Sequence, residues 1–349
     1  MKICHIAPFG PHRCGLYEAA RDMAKADALA GHEIIFIDAG IVENGKKLAS
    51  QINAVDDRAG FLLQTGSKEL INSADLIIKH TGVVSDWIVQ TQAPIIWIIH
   101  GRPLACFRPE LNKKGIFYTL YNQLAQWPRT KKFVHFWPEF NDHWGLRIPD
   151  HKLHAVPFPV IDEQQYTPLG DKFPLEETGK YNILICDSER EDVDLYEMVI
   201  GCIKAVKTYP GLKFHFFGLN HPIPNCWQSV LGRLKDFGGL GMVRGRLAEM
   251  PSIYRSMDCL ISPNRILTRT VAEALSCGLP VICQNGKHLK ADIFCDMADP
   301  DDVVAAIGLF IDAKDKNAIS QAEILERASD FKMETYSKHM NPLYEEVLK

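Results

Sequence analysis

Short apolar runs alternate with helix-forming stretches along this chain, and the alternation constrains its fold more than any other feature. The runs are rich in Ile, Val and Phe, which is typical of strands buried in a parallel sheet. Alternating strands and helices therefore predict an α/β protein. The predicted strands span 2–8, 33–39, 75–80, 94–100, 131–137, 152–158, 181–187, 212–218, 241–246, 258–264 and 279–284.

Two consecutive α/β sets occur in the chain, which predicts two Rossmann-like domains. Helices are predicted between the strands, for example over 16–30, 193–208 and 301–312. The best boundary is the segment 157–180, because it contains four prolines and many polar residues. We therefore expect a first domain over 1–165, a second over 175–330, and a terminal helix within 331–349.

Composition places the chain among soluble globular proteins. Its 349 residues suffice for two full cores, with 46% apolar and 23% charged residues. The net charge of −4 argues against nonspecific nucleic-acid binding by the whole molecule. No apolar run approaches the roughly 18 residues of a membrane span, and the opening residues predict a first strand rather than a signal peptide. We expect a cytoplasmic protein, with peripheral membrane contact left open.

The ten cysteines are scattered singly and form no Cys-x-x-Cys pair. Several lie inside apolar runs, which favours buried thiols in a reducing compartment. No pair of Cys or His residues has the close spacing of zinc ligands beside a second such pair. We therefore expect no metal site.

The segment 262–287 is the most informative for function. It predicts a loop, a helix capped by Thr268 or Thr270, a stop at Gly278 and a buried strand. A loop with hydroxyls and arginines that leads into a helix N-terminus is suited to bind an anion, because N–H groups and the positive dipole end face it. An ordinary surface loop before a core helix is the alternative.

This segment resembles the donor-binding segment of retaining glycosyltransferases of family 4, which have the GT-B fold. Arg265 stands where the family has its first Glu, and Ile266 and Thr268 replace glycines. The resemblance implies that Glu273 contacts the nucleotide ribose, whereas the family's sugar contact does not carry over. The matching residues are Pro263, Glu273, Ala274, Cys277, Gly278, Pro280 and Val281.

GT-B resemblance also implies an arrangement of the domains. Two Rossmann-like domains would face each other across a cleft, with the acceptor on the first and the nucleotide sugar on the second. The terminal helix would pack back on the first domain.

The resemblance implies donor contacts in further loops. Gly10 and Gly15 flank a loop between a strand and a helix, where the family places a glycine loop beside the donor diphosphate. Arg246 and Leu247 lie where the family receives the nucleobase. A plain βα turn and a surface charge are the respective alternatives.

His100 ends an apolar strand, at the edge where ligands bind in open α/β sheets. The resemblance implies that it lines the sugar and acceptor side. A histidine bonded to a loop carbonyl is the alternative.

The acidic segment 187–192 departs most from the family, which grips the diphosphate here with an Arg and a Lys. Arg190 is the only cation in this segment. We expect Arg190, Arg265 and Arg269 to supply the missing charge, or the donor to bind differently. The Asp-Val-Asp sequence at 192–194 resembles a metal motif. It lies at a predicted helix start, however, where Asp is expected as an N-cap residue.

The segment 100–155 combines nine Lys or Arg residues with ten aromatic residues and only four acids. Basic residues interleaved with stacking platforms suit flipped bases or sugar rings. Core aromatics beside an amphipathic helix are the alternative. DNA therefore stays open as an acceptor.

The resemblance implies a glycosyltransferase that moves a hexosyl or pentosyl group from a nucleotide-diphosphate sugar, with retention, to a glycan or lipid-linked acceptor. His100, Arg190 and Arg269 are the expected catalytic residues, with no cofactor or essential metal. Three alternatives stay open: transfer to a hydroxymethylated base in DNA, a non-catalytic nucleotide-sugar or glycan-binding protein, and an epimerase.

Overall fold

A computed structural model of the protein describes residues 1–7, 15–38, 42–43, 46–47, 55–56, 61–65, 71–80, 91–100, 116–156, 159–186, 195–219, 223, 225–245, 249–285 and 290–349. The chain forms two compact units. The first consists of Met1–Asp162 and Phe331–Lys349, and the second of Glu163–Asp330. The chain thus first passes from one unit to the other between Asp162 and Glu163, inside the proline-rich segment 157–180.

The first unit is built on an eight-stranded sheet. Its strands are β1 (Lys2–Ala7), β2 (Glu33–Asp38), β5 (Val55–Asp56), β6 (Phe61–Thr65), β7 (Leu76–His80), β8 (Ile95–Ile99), β9 (Thr130–His135) and β10 (Leu153–Ala155), while β3 (Val42–Glu43) and β4 (Lys46–Lys47) form a separate pair. The order is β10-β9-β8-β7-β1-β2-β6-β5. Only the β5–β6 pair of this sheet is antiparallel among the described strands.

The second unit contains a six-stranded parallel sheet. Its strands are β11 (Tyr181–Ile185), β12 (Leu212–Phe217), β13 (Leu240–Arg244), β14 (Cys259–Ser262), β15 (Val281–Gln284) and β16 (Ile293–Cys295). The order β13-β12-β11-β14-β15-β16 is the 3-2-1-4-5-6 arrangement of a Rossmann fold. The order reverses between β11 and β14, which makes this the switch point where ligands bind in such sheets.

Helices connect the strands in both units. The α-helices are α1 (Gly15–Leu29), α2 (Ile116–Ala125), α3 (Asn141–Gly145), α4 (Leu195–Thr208), α5 (Asn225–Asp236), α6 (Met250–Ser256), α7 (Arg269–Ser276), α8 (Pro300–Asp315), α9 (Gln321–Ala328) and α10 (Met333–Leu348). Short 3-10 turns lie at Pro138–Phe140, Asp150–Lys152 and Ser329–Phe331. Helix α10 belongs to the first unit, where it packs against α1.

The first sheet carries apolar layers on both faces because its side chains alternate along each strand. On one face Cys4 and Ile6 share a core with Trp97 and Tyr121. On the other face Ala7 and Phe36 pack against the side of α1 that carries Ala20. Helix α1 thus covers the β1–β2 region of the sheet.

The eleven strands predicted from apolar runs all contain or overlap an observed strand, so the α/β prediction is confirmed. The sequence indicated neither the strands β3 to β6 nor β16, which has three residues between Asp292 and Asp296 and lies at the edge of its sheet. Phe294 in the middle of β16 is 41% exposed. Because this strand is only partly buried, it lacks the long apolar run by which a buried strand is recognised. The described cysteines form no disulfide.

Candidate donor site and histidine row

Helix α7 begins directly beyond the switch point of the second unit. The loop 263–268 leaves the carboxyl end of β14 and leads into α7. Thr268 is the N-cap: its backbone is extended, and its side-chain oxygen accepts a hydrogen bond from the N–H of Val271 at 3.4 Å. Of the two predicted caps, Thr268 is therefore correct, and Thr270 lies in the first turn. The helix ends before Gly278, whose φ of +73° suits glycine.

A compact polar cluster forms around the carboxylate of Glu273. Its Oε1 accepts a charge-assisted hydrogen bond of 2.6 Å from Nε of Arg269, one helical turn earlier. Its Oε2 accepts a bond of 2.9 Å from the hydroxyl of Tyr254 on α6. The Glu273 side chain is 9% exposed and that of Arg269 is 11% exposed. The pair therefore lies at the boundary between core and solvent.

Two tyrosines complete this cluster. The Tyr166 ring lies 5.7 Å from the Arg269 guanidinium carbon, in cation–π range. Its centroid is 6.3 Å from that of Tyr254. Burial, with a further contribution from Glu273, raises the pKa of Tyr254 well above its usual value. Tyr254 is therefore a permanent donor to Glu273, and the sequence did not identify either tyrosine.

The loop before α7 is held by its apolar residues. Ile266 and Leu267 are buried. Asn264 is buried as well and donates from Nδ2 to the Ser262 hydroxyl at 3.1 Å. Arg265 is exposed, so a solvent-facing cation stands where the sequence resemblance led us to compare this chain with a Glu.

Four predicted site residues lie outside the described part of the chain: Gly10, Arg190, Arg246 and Leu247. In sequence, Arg190 follows β11, the strand next to β14 at the switch point. Gly15 is described and begins α1. Among the described residues, none has an atom within 4 Å of a Cβ built on Gly15.

His100 belongs to the first unit and follows the last residue of β8. Its Nε2 lies 3.0 Å from Nδ1 of His80, the last residue of β7. His80 in turn contacts His5 of β1, with 3.1 Å between Nε2 and Nδ1. We call His5, His80 and His100 the histidine row. The sequence pointed to His100 alone, because the row requires the strand order to be known.

The aromatic residues of 100–155 mostly pack inside the first unit. Trp144 and Phe133 are buried and share one core with Tyr121. Lys152 donates to the backbone carbonyls of Ala125 and Thr130 at 2.7 and 2.8 Å. In the described part of this segment, packing therefore accounts for most of the aromatic residues.

No three His, Cys, Asp or Glu side chains of the described residues converge as they would around a metal ion. Within the same residues, no helix is both long and apolar enough to span a bilayer.

No protein-family profile and no curated protein sequence matches the chain. Solved structures do match over essentially its whole length. A glycosyltransferase from Rickettsia africae ESF-5 has a TM-score of 0.71 at 15% identity, with 100% of this chain and 98% of that chain covered. Anabaena HepE in complex with UDP and glucose has a TM-score of 0.71 at 12% identity, with 99% and 100% covered.

The pneumococcal O-GlcNAc transferase GtfA, in complex with UDP and GlcNAc, matches with a TM-score of 0.69 at 12% identity. The alignment covers 100% of this chain and 99% of GtfA. Identities this low establish architecture rather than activity. The strand orders and these matches agree, and the chain has the GT-B fold of glycosyltransferases.

Proposed function

We propose that this protein is a glycosyltransferase that uses a nucleotide-diphosphate sugar, with the donor bound at the N-terminus of α7. The observation that carries the proposal is the Arg269–Glu273 pair at the switch point of the second sheet. Carboxylate oxygens accept from hydroxyls such as those of ribose, while a guanidinium and a helix N-terminus favour a diphosphate. One turn of helix thus offers both chemistries.

In this proposal Glu273 binds the ribose hydroxyls, and Arg269 with the first N–H groups of α7 holds the diphosphate. Arg190 would add charge from the segment that follows β11. Uridine nucleotides are the first donors to test, because HepE and GtfA are both described in complex with UDP.

Catalysis would consist mainly of stabilising the charge that develops on the leaving diphosphate. Arg269 and the helix N-terminus would supply that stabilisation. A front-face route, in which the leaving phosphate takes the proton of the acceptor hydroxyl, requires no protein nucleophile and gives retention. His100 would line the sugar and acceptor side, and neither a cofactor nor an essential metal is needed.

The acceptor we rank first is a glycan or a lipid-linked sugar bound by the first unit. No described contact favours DNA, since the aromatic residues that suggested it are largely core residues. Arg265 stands where the resembled family has its first Glu. This difference is the reason to consider the alternative of a binding protein that no longer catalyses transfer. An epimerase would convert a nucleotide sugar with no acceptor present.

Product analysis distinguishes these functions. The purified protein is incubated with each UDP-sugar, with and without a mixture of glycan and lipid-linked acceptors, and released UDP and the remaining sugar nucleotide are quantified. Acceptor-stimulated UDP release supports the transferase. Conversion to a second UDP-sugar without UDP release identifies an epimerase, and tight binding without either product identifies a binding protein. The Arg269→Ala variant must lose the UDP release if the site is correctly placed.

A further inference from the structure

The segment 163–173, the first part of the chain to enter the second unit, is held against helix α6. Arg255 of α6 donates from Nε to the carbonyl oxygen of Asp171 at 2.8 Å. It also donates from Nη1 to the carbonyl oxygen of Thr167 at 3.2 Å. One guanidinium thus binds two carbonyls that are four residues apart, and it fixes the path of the chain between them.

Gly170 lets the segment pass close to Arg255. Its φ of +121° lies in the left-handed region, and a Cβ built on it would be 3.2 Å from Cζ of Arg255. Further along, the N–H of Phe173 donates to the carbonyl oxygen of Ser252 on α6 at 3.0 Å. The bonds of this segment therefore fix the position of the residue that precedes them, Tyr166.

Tyr166 connects the segment with the candidate donor site. It is 5% exposed, and the centroid of its ring lies 5.7 Å from Cζ of Arg269 and 6.3 Å from the ring centroid of Tyr254. Both of these neighbours bind one carboxylate, because Arg269 donates to Oε1 of Glu273 and Tyr254 donates to Oε2. Tyr166 therefore packs on two side chains that are bonded to Glu273.

The contact with Tyr166 adds a second restraint on the guanidinium of Arg269. The hydrogen bond from Nε to Glu273 does not by itself prevent the rest of the group from turning about the Nε–Cζ bond. An aromatic ring beside the group attracts the cation and opposes that rotation. A guanidinium has five N–H donors in a rigid planar fork, so a restraint on its plane sets the direction of every donor.

We propose that Tyr166 is a positioning residue of the transferase, whose ring fixes the guanidinium plane of Arg269 in the orientation that stabilises the leaving diphosphate. The role in transfer rests on the proposed function, whereas the restraint on Arg269 does not. Tyr166 acts on the donor only through Arg269. Preorganised charge needs no rearrangement when the transition state forms, so a guanidinium that turns more readily stabilises the leaving group less.

Steady-state kinetics with a turned-over nucleotide sugar separates the ring of Tyr166 from its hydroxyl. Tyr166→Leu should lower kcat about five- to thirtyfold, as expected for a cation–π contact in a largely buried site, with little change in KM. Tyr166→Phe keeps the ring and should keep kcat within about twofold of wild type. Equal losses of kcat in the two variants, or a pure KM effect in Tyr166→Leu, would overturn the proposal.

Nuclear magnetic resonance of the full-length protein without any donor tests the restraint itself. ¹H–¹⁵N spectra of the arginine side chains report how fast each guanidinium rotates about its Nε–Cζ bond, and Arg269→Lys assigns the Arg269 signals by their loss. We expect slow rotation of Arg269 in the wild-type protein and in Tyr166→Phe, and faster rotation in Tyr166→Leu. Rotation at the wild-type rate in folded Tyr166→Leu would overturn the proposal.

Phe173→Leu is the matched control. Phe173 belongs to the same segment, but its ring packs on Phe217, with 6.1 Å between the ring centroids. The substitution should leave both kcat and the rotation of Arg269 unchanged. A change equal to that of Tyr166→Leu would show a general disturbance of the segment and would overturn the specific role of Tyr166.

Arg255→Ala decides if Tyr166→Leu does not fold. It keeps Tyr166 and Arg269 but removes the bonds that hold the segment to α6. We expect faster rotation of Arg269 in this variant, and rotation at the wild-type rate would overturn the proposal. Absence of turnover with every donor, together with the expected change in rotation, would reject the proposed function and support the restraint of Arg269 by Tyr166.

Discussion

Replacing Glu273 with Gln should weaken both the fold of the second unit and its affinity for nucleotide. Gln keeps the shape of the side chain but removes the charge that strengthens the bonds from Arg269 and Tyr254. Hydrogen bonds to a charged group contribute about 1.5–3 kcal/mol and neutral ones about 0.5–1.5 kcal/mol. Two weakened bonds therefore cost about 2–3 kcal/mol.

For a domain of this size, that loss lowers the unfolding temperature by roughly 4–12 °C. The expected loss of nucleotide-binding free energy is smaller than the loss of stability, because one hydrogen bond is weakened instead of two. If the ribose bonds to Glu273, exchanging a charged for a neutral acceptor costs about 1–1.5 kcal/mol, which raises the Kd of UDP about five- to thirteenfold. Glu273→Ala removes the acceptor altogether and should cost about 1.5–3 kcal/mol of binding.

Isothermal titration with UDP and differential scanning calorimetry measure the two effects separately. Glu326→Gln is the control, because it removes one negative charge from an exposed position of the same unit. Tyr254→Phe removes one donor to Glu273 while leaving the carboxylate, so it should destabilise the unit with little change in Kd. A Kd within about twofold of wild type in folded Glu273→Gln would refute the ribose assignment.

Three further predictions concern single residues. Arg269→Ala should lower kcat more than it raises KM, because charge stabilisation of a leaving group is realised in the transition state; steady-state kinetics showing a pure KM effect would restrict Arg269 to ground-state binding. Thr268→Ala removes the cap of α7 and should cost about 1 kcal/mol, or about 2–4 °C in a thermal melt, and no change would show that the cap is dispensable. Lys79 is buried, and desolvation lowers its pKa to about 7. The unfolded chain therefore binds more protons than the fold between pH 7 and about 10.4, and wild-type stability should rise with pH in that window. Lys79→Met should raise the unfolding temperature at pH 7 and abolish that slope, and a lower unfolding temperature would contradict the desolvation argument.

The fold could be predicted largely from the sequence because buried parallel strands are continuous apolar runs. Each of the predicted runs, such as 94–100, contains or overlaps a strand. Strand ends were predicted up to a few residues too long, since residues just past a strand can be apolar as well. The strands β3 to β6 were not predicted, and neither was the edge strand β16, one side of which faces solvent.

The candidate site could be predicted only where its residues are close in sequence. Thr268, Arg269 and Glu273 lie within two helical turns, and a pair four residues apart meets on any helix. Tyr254 and Tyr166 join them through tertiary packing, which leaves no local signal. The histidine row depends on strand order and register, two properties that no single segment of the chain carries.

The most direct test of the central claim is a donor screen of the purified protein. Thermal shift and hydrolysis are measured with UDP-, GDP-, ADP-, CMP- and dTDP-sugars. We predict that one nucleotide family, with UDP first, raises the unfolding temperature and is slowly hydrolysed, and that Glu273→Gln weakens the stabilisation. Neither stabilisation nor hydrolysis with any donor would contradict the proposal that α7 forms a nucleotide-sugar site.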